Sequence, residues 1–189
     1  MTFSRTMTLV AATAMAVAFS GAAAFADHHA KMVGGAAMYE NKTIVENAVN
    51  SQDHETLVAA VKAAGLVETL QGDGPFTVFA PTDDAFAALP EGTVASLLKP
   101  ENKDQLTKIL TCHVVGADVM SDAIMKMVDD DKGAHPVKTV GGCTFTAMYD
   151  GETVMLKDGQ GNVANVTIAD VKQSNGVIHV IDKVLLPAS

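Results

Sequence analysis

Six histidines, at 28, 29, 54, 113, 135 and 179, are the first residues in this sequence whose chemistry could matter. An imidazole can move a proton near neutral pH or bind a metal. His28 and His29 follow Asp27, and the order matters. If processing leaves Asp27 as the first residue, its free amine, two backbone amides and the His29 imidazole would wrap Cu(II) or Ni(II) in a square of nitrogens. The spacing therefore marks Asp27, His28 and His29 as a candidate N-terminal metal site. His113 and His179 fall in apolar runs that read as core strands. There the favoured role is a buried imidazole bonded to backbone rather than a ligand or proton shuttle.

Two carboxylates stand side by side at Asp83 and Asp84. A carboxylate pair can do acid–base work, but neighbours on a helix diverge by about 100° and do not converge on one atom. The structural alternative is stronger. The strand-like PFTVFA stops at Pro81, which cannot donate to a ladder, and Thr82 or Asp83 can cap a new helix. Ser174-Asn175-Gly176 is turn chemistry rather than a nucleophile elbow. No HExxH or GxSxG pattern is present. The sequence carries no catalytic constellation, and a non-enzyme is expected.

The elements that must hold these residues begin after a leader. MTFSRTMTLVAATAMAVAFSGAAAFA has one basic residue, Arg5, a short apolar run and an Ala-Phe-Ala end. That is the pattern of a cleaved signal peptide over 1–26, and the run is shorter than the roughly 20 residues of a membrane span. No transmembrane anchor is expected after cleavage. Losing Arg5 makes the formal charge of −9 one unit more negative. An acidic surface disfavours nucleic acid. Cys112 and Cys143 make an even count in an exported chain, which favours a structural disulfide over a reactive thiol pair. A bridge across about 30 residues would stabilise by roughly 3 kcal/mol.

Residues 27–42, with Gly34-Gly35 and little periodicity, read as a flexible leader. TIVENAVN places Ile44, Val45, Ala48 and Val49 on one helical face. SQDHETLVAAVKAAG reads as a helix capped by Ser51 or Asp53, striped by Leu57, Val58, Val61 and Ala64, and ended by Gly65. After a helix near Ser121–Val128 come PVKTV, CTFTAMY, TVMLKD, NVTIADV and VIHVIDKVLL, separated by Asp-Gly and Asn-Gly turns. Residues 43–189 form a single domain.

TVFAPTDDAFAALP (77–90) resembles the first signature of the fasciclin family, carried by Thr77, Phe79, Pro81, Thr82, Asp83 and Phe86. NGVIHVIDKVLLP (175–187) resembles the second, carried by Asn175, Gly176, His179 and Asp182. LTCHVV (110–115), with His113, is similar to the family's Tyr-His motif, but Cys112 stands in the tyrosine's place. A disulfide to Cys143 would take over its bracing role. The resemblance implies an α+β wedge: a twisted, mostly antiparallel β-sandwich with several small helices packed around it. It implies an exported adhesion or interaction module, periplasmic or secreted and monomeric. Its partner would be a cell-surface or envelope protein or glycan. An Asp-Ile pair implicated in receptor binding in some animal members corresponds to Asp170 and Val171, although strand packing is the competing role. The alternative is a periplasmic small-ligand or Cu(II)/Ni(II)-binding protein.

Overall fold

The computed structural model describes residues 30–188. The signal peptide expected over 1–26 and the metal site expected at Asp27, His28 and His29 lie outside the described residues.

The described chain opens with strands β1 (Lys31–Val33) and β2 (Ala36–Met38), paired antiparallel. Within the leader expected to be flexible over 27–42, residues 31–38 thus form an ordered hairpin. Gly34 and Gly35 both have positive φ, 56° and 74°, which a two-residue hairpin turn of this kind requires. The turn aims Val33 and Met38 into the core, where each is 3% exposed. The hairpin is thus held by burial as well as by its own ladder.

Helix α1 (Ile44–Ala48) starts with a full capping box: Thr43 Oγ1 accepts from the Glu46 amide, and the Glu46 carboxylate accepts from the Thr43 amide. Its expected apolar face is shorter than the pattern suggested, because Val49 is the C-cap and is exposed. Helix α2 (Glu55–Ala64) ends at Gly65 in the left-handed conformation, as read from the sequence. Helix α3 (Val67–Gln71) completes the first layer. Strand β3 (Phe76–Pro81) stops at its proline, and Thr82 caps helix α4 (Asp83–Ala87) through the Ala85 amide. Helices α5 (Thr93–Leu97) and α6 (Lys103–Cys112) lead to the two-residue strand β4 (Val114–Val115). Helix α7 (Ser121–Asp130) precedes β5 (His135–Lys138), β6 (Thr144–Asp150), β7 (Thr153–Lys157), β8 (Val163–Gln173) and β9 (Gly176–Ile181).

Seven of these strands make one mixed sheet in the order β4-β3-β9-β8-β7-β6-β5. All its pairings are antiparallel except β3 with β9, which run parallel. The α+β architecture with small helices is as expected, and the sheet is continuous and nearly barrel-like. Its two ends are tied. The Val140 amide donates to the Val114 carbonyl at 2.8 Å, the Gly141 amide to Thr111 at 3.0 Å, and Cys112 is bridged to Cys143 across a Cα–Cα distance of 5.4 Å. The disulfide therefore staples the seam of the near-barrel, where unpaired edges would otherwise invite other strands.

Every residue of β9 is buried, as a central strand covered on both faces must be. Ile178 and Val180 face a core shared with α1 to α6. Ile181 and its neighbour Phe79 face a second core inside the curl, closed by Ile124 and Val128 of α7. Gly176 is required where the strands meet, because a Cβ there would collide with the Phe76 backbone.

Candidate functional site

The polar residues of the three motifs point into the fold. Asp83 is the first example. Its carboxylate leaves its own helix to accept from the Thr56 amide at 2.8 Å and the Glu55 amide at 3.2 Å, capping α2. The expected caps of that helix, Ser51 and Asp53, make no such bond. His54 is the N-cap residue and its side chain does not cap. Asp53 instead accepts the Asp83 amide through its carbonyl at 2.8 Å. Thr77 Oγ1 donates to the Ala117 carbonyl at 2.6 Å and accepts the Val119 amide at 2.8 Å, fixing the loop before α7.

His113 does not lie in a strand, as the pattern suggested. It is the C-cap of α6. Its Nδ1–H donates to the Ile109 carbonyl at 2.8 Å and its Nε2 accepts the Leu185 amide at 2.9 Å. Burial lowers its pKa to about 4, against smaller upward pulls from the Ile109 carbonyl and Asp158. Both ring nitrogens are committed and the ring is neutral, so His113 ties the C-terminal segment to α6 rather than shuttling protons.

His179 stacks on Phe79, with centroids 5.6 Å apart. Its Nε2–H donates to the Val119 carbonyl at 2.8 Å, and its Nδ1 accepts the Asp170 amide at 3.3 Å. Burial lowers its pKa, outweighing the Val119 carbonyl and Asp170, so it too is neutral. Asp170 sits at a bulge in β8 with φ of 56°. This turn carries its carboxylate to Ser121 at the start of α7, with the amide at 2.7 Å and the hydroxyl at 2.5 Å. Burial pushes the Asp170 pKa up, but the two Ser121 bonds, His179 and Lys31 together hold it below its ordinary value. Val171 is 1% exposed and packs in the helix-side core. The pair singled out for partner binding thus offers a half-buried, bonded carboxylate and an interior valine.

Asn175 and Asp182 complete the set. Asn175 accepts the Ile44 amide at 3.0 Å and donates to the Leu70 and Gly72 carbonyls, joining α1 to the end of α3. Asp182 accepts both the amide and the side-chain NH2 of Asn165, each at 2.7 Å. Pro81 and Phe86 are buried, Phe86 in the helix-side core. Six motif residues share one role in this geometry: Thr77, Asp83, His113, Asn175, His179 and Asp182 each join segments distant in sequence, whereas Thr82 caps its own helix. Asp158, read only as a turn residue, belongs with them. Its carboxylate accepts from Gln160, Asn162 and Leu186, and the Asp-Gly pair was the only hint of it.

One further histidine, given no role by the sequence, is set apart by its burial. His54 is 3% exposed, with Ser51 Oγ 2.8 Å from Nδ1. Its Nε2 is the one buried side-chain polar atom without a hydrogen-bond partner among the described residues. Burial lowers the His54 pKa and outweighs the opposing pull of the Ala80 carbonyl and of Asp53 and Asp83. His54 lines a cavity of about 30 Å³ whose other walls are almost wholly apolar. A neighbouring apolar cavity of about 50 Å³ lies under α1, α2 and α3. Among the described residues, no cluster of three His, Cys, Asp or Glu side chains could hold a metal, and no helix is long and apolar enough to cross a membrane.

Comparison with known proteins agrees with this geometry. Residues 52–187 match the model of the fasciclin domain. Protein sll1483 of Synechocystis sp. is 50% identical over 158 residues, covering 82% of this chain and 79% of that one. Protein sll1735 of the same organism is 44% identical over 144 residues, covering 76% and 96%. A solved FAS1 domain pair from the insect cell adhesion molecule fasciclin I superposes with a TM-score of 0.69 at 18% identity. It covers 77% of this chain, which spans about half (51%) of that longer one.

Proposed function

This chain belongs to the fasciclin family, and on that premise we propose that it is an exported, monomeric interaction module that performs no reaction. The family is generally non-catalytic, and its domain is linked to adhesion and interaction in homologues. One observation carries the reading: the titratable motif residues Asp83, His113, His179 and Asp182 are bonded to backbone or to Asn165 inside the fold. Chemistry needs such groups free and converging on a reacting atom; here they join elements. Recognition then falls to the outer surface, and its partner is a protein or glycan of the cell surface or envelope. The N-terminal corner suits this task, since Met32, Tyr39 and Val49 are large apolar side chains left exposed on adjoining segments. Export is supported by the disulfide, which persists in oxidising compartments.

Native mass spectrometry of the protein isolated from its own envelope without chelator tests this reading. The expected species is a single chain beginning at Asp27, lighter by about two mass units for one bridge, with no metal. A reproducible copper or nickel mass would put the N-terminal metal reading first.

A further inference from the structure

We propose that the open part of the sheet's seam, between β4 and β5, takes the C-terminal end of a partner peptide whose last side chain is aliphatic. This rests on the reading of the chain as an interaction module and adds a second surface, apart from the N-terminal corner. The seam is tied at the Val140 end, where the Val140 amide donates to the Val114 carbonyl beside the Cys112–Cys143 bridge. Beyond that tie β4 and β5 make no ladder pairing among the described residues, and a groove of about 240 Å³ opens between them. Its walls are mostly aliphatic: Val115, Val119 and Val137, with Ile124 and Met127 of α7. The space far exceeds the share of about 30 Å³ that one water takes in the liquid. Gly116, exposed on the β4 side, carries no side chain to close it.

The β5 edge decides what can enter and in which direction. Thr139 donates its amide to Cys143 on the β6 side, and Val140 donates to Val114 on the β4 side. Backbone groups alternate sides along a strand. The Lys138 N–H and the Pro136 carbonyl therefore face the groove, and Pro136 has no N–H of its own. An incoming residue that runs parallel to β5, opposite Val137, uses these two groups and no others. It donates its amide to the Pro136 carbonyl and accepts from the Lys138 N–H. Its side chain then takes the side of Val137, which packs on the inner core with Val115, Val119 and Met127. An antiparallel strand would need the amide that Pro136 lacks. The parallel direction leads toward the Val140–Val114 tie, where the groove closes, so the entering chain must end there. Its terminal carboxylate arrives at Lys138, whose ammonium makes no salt bridge among the described residues. The reverse direction would bring an N-terminal ammonium to the same lysine, which like charge disfavours.

The test titrates the purified protein with an acetylated tetrapeptide ending in leucine, read by amide and methyl NMR. The free-carboxylate peptide is expected to shift the Lys138 amide and the Ile124 methyls together. The same peptide as its C-terminal amide should bind about tenfold more weakly, and one ending in aspartate should not bind. Lys138→Pro removes the outward N–H without touching the β5–β6 ladder and should abolish binding. Lys138→Met keeps the N–H, loses the ammonium and should weaken the carboxylate peptide toward its amide; it keeps the test decisive if Lys138→Pro fails to fold. No shift at millimolar peptide, or equal affinity of the carboxylate and amide forms, would overturn the proposal. Octanoate binding as tightly as the peptide would make the groove an amphiphile site and overturn it. Lys138 shifts that grow with protein concentration alone would assign the groove to a second copy and overturn it as well. Any of these results beside intact binding to envelopes would strike this site and leave the interaction role standing.

Discussion

The Asp83 carboxylate caps a helix that begins 28 residues upstream, with the Thr56 amide at 2.8 Å. The same residue donates its own amide to the Asp53 carbonyl. The acidic step after the strand TVFAP is therefore a joint between α2 and α4, and it places both helices on β3. Replacing Asp83 with Ala removes the cap and should cost about 1–2 kcal/mol. Asp83→Asn keeps an acceptor and should cost clearly less. Urea unfolding of the two variants checks the order; no loss in Asp83→Ala would mean that the cap contributes nothing.

The bridge between Cys112 and Cys143 closes the seam between the β4 and β5 ends of the sheet. Removing it by Cys112→Ser with Cys143→Ser should lower stability by about 3 kcal/mol. Cys112 is fully buried, so mild reductant should act on the native protein only slowly. Urea midpoints with and without the substitutions measure the first effect, and thiol release over time measures the second.

Acid should destabilise the fold in a defined window. Burial depresses the folded-state pKa of His113 to about 4, below its unfolded value near 6.5, and lowers His54 and His179 in the same direction. Above pH 6.5 these rings are neutral in both states and their contribution is whole. As pH falls from 6.5 to 4 the unfolded chain takes up protons that the folded chain refuses, and stability drops. His113 alone accounts for about 3 kcal/mol of that loss. Asp170, whose pKa is also depressed, keeps its contribution until pH falls below the ordinary carboxylate range. Unfolding free energies of the wild type and His113→Asn from pH 7 to pH 4 should converge as the pH drops. A constant gap would show that His113 does not titrate against folding.

Asp170 and Ser121 join the β8 bulge to the start of α7. Asp170→Ala should cost about 1–2 kcal/mol. Asp170→Asn, which tolerates the same positive φ, should cost less. Partner binding should follow stability in both variants. Binding lost from a variant that is fully folded would instead make Asp170 a contact residue.

Much of this frame was legible from residue pattern. Pro81 ended β3, Gly65 ended α2, and the alternation in VIHVI gave a strand covered on both faces. Burial periodicity is local, so it can be read locally. The misses are long-range or depend on turn geometry. The Lys31–Met38 hairpin has strands of three residues, too short for periodicity, and only Gly34-Gly35 announced it. His113 read as strand because its apolar neighbours did, yet it caps α6. The reach of Asp83 to α2 and of Asn175 to α1 could not be read, since a sequence gives capping residues but not which helix end comes near. His54 is visible in the sequence for its imidazole, but its burial could not be read, because a lone histidine before an amphipathic helix gives no sign of which elements will cover it.

The most direct test of the interaction role is saturable binding of the labelled, folded protein to washed envelopes of its own cells. Binding would be measured with and without chelator, for the chain beginning at Asp27 and for one beginning at Ala30. The account predicts one saturable class of sites, unchanged by chelator and by removal of Asp27, His28 and His29. Absence of saturable binding would contradict it, as would binding that disappears with the chelator or with those three residues.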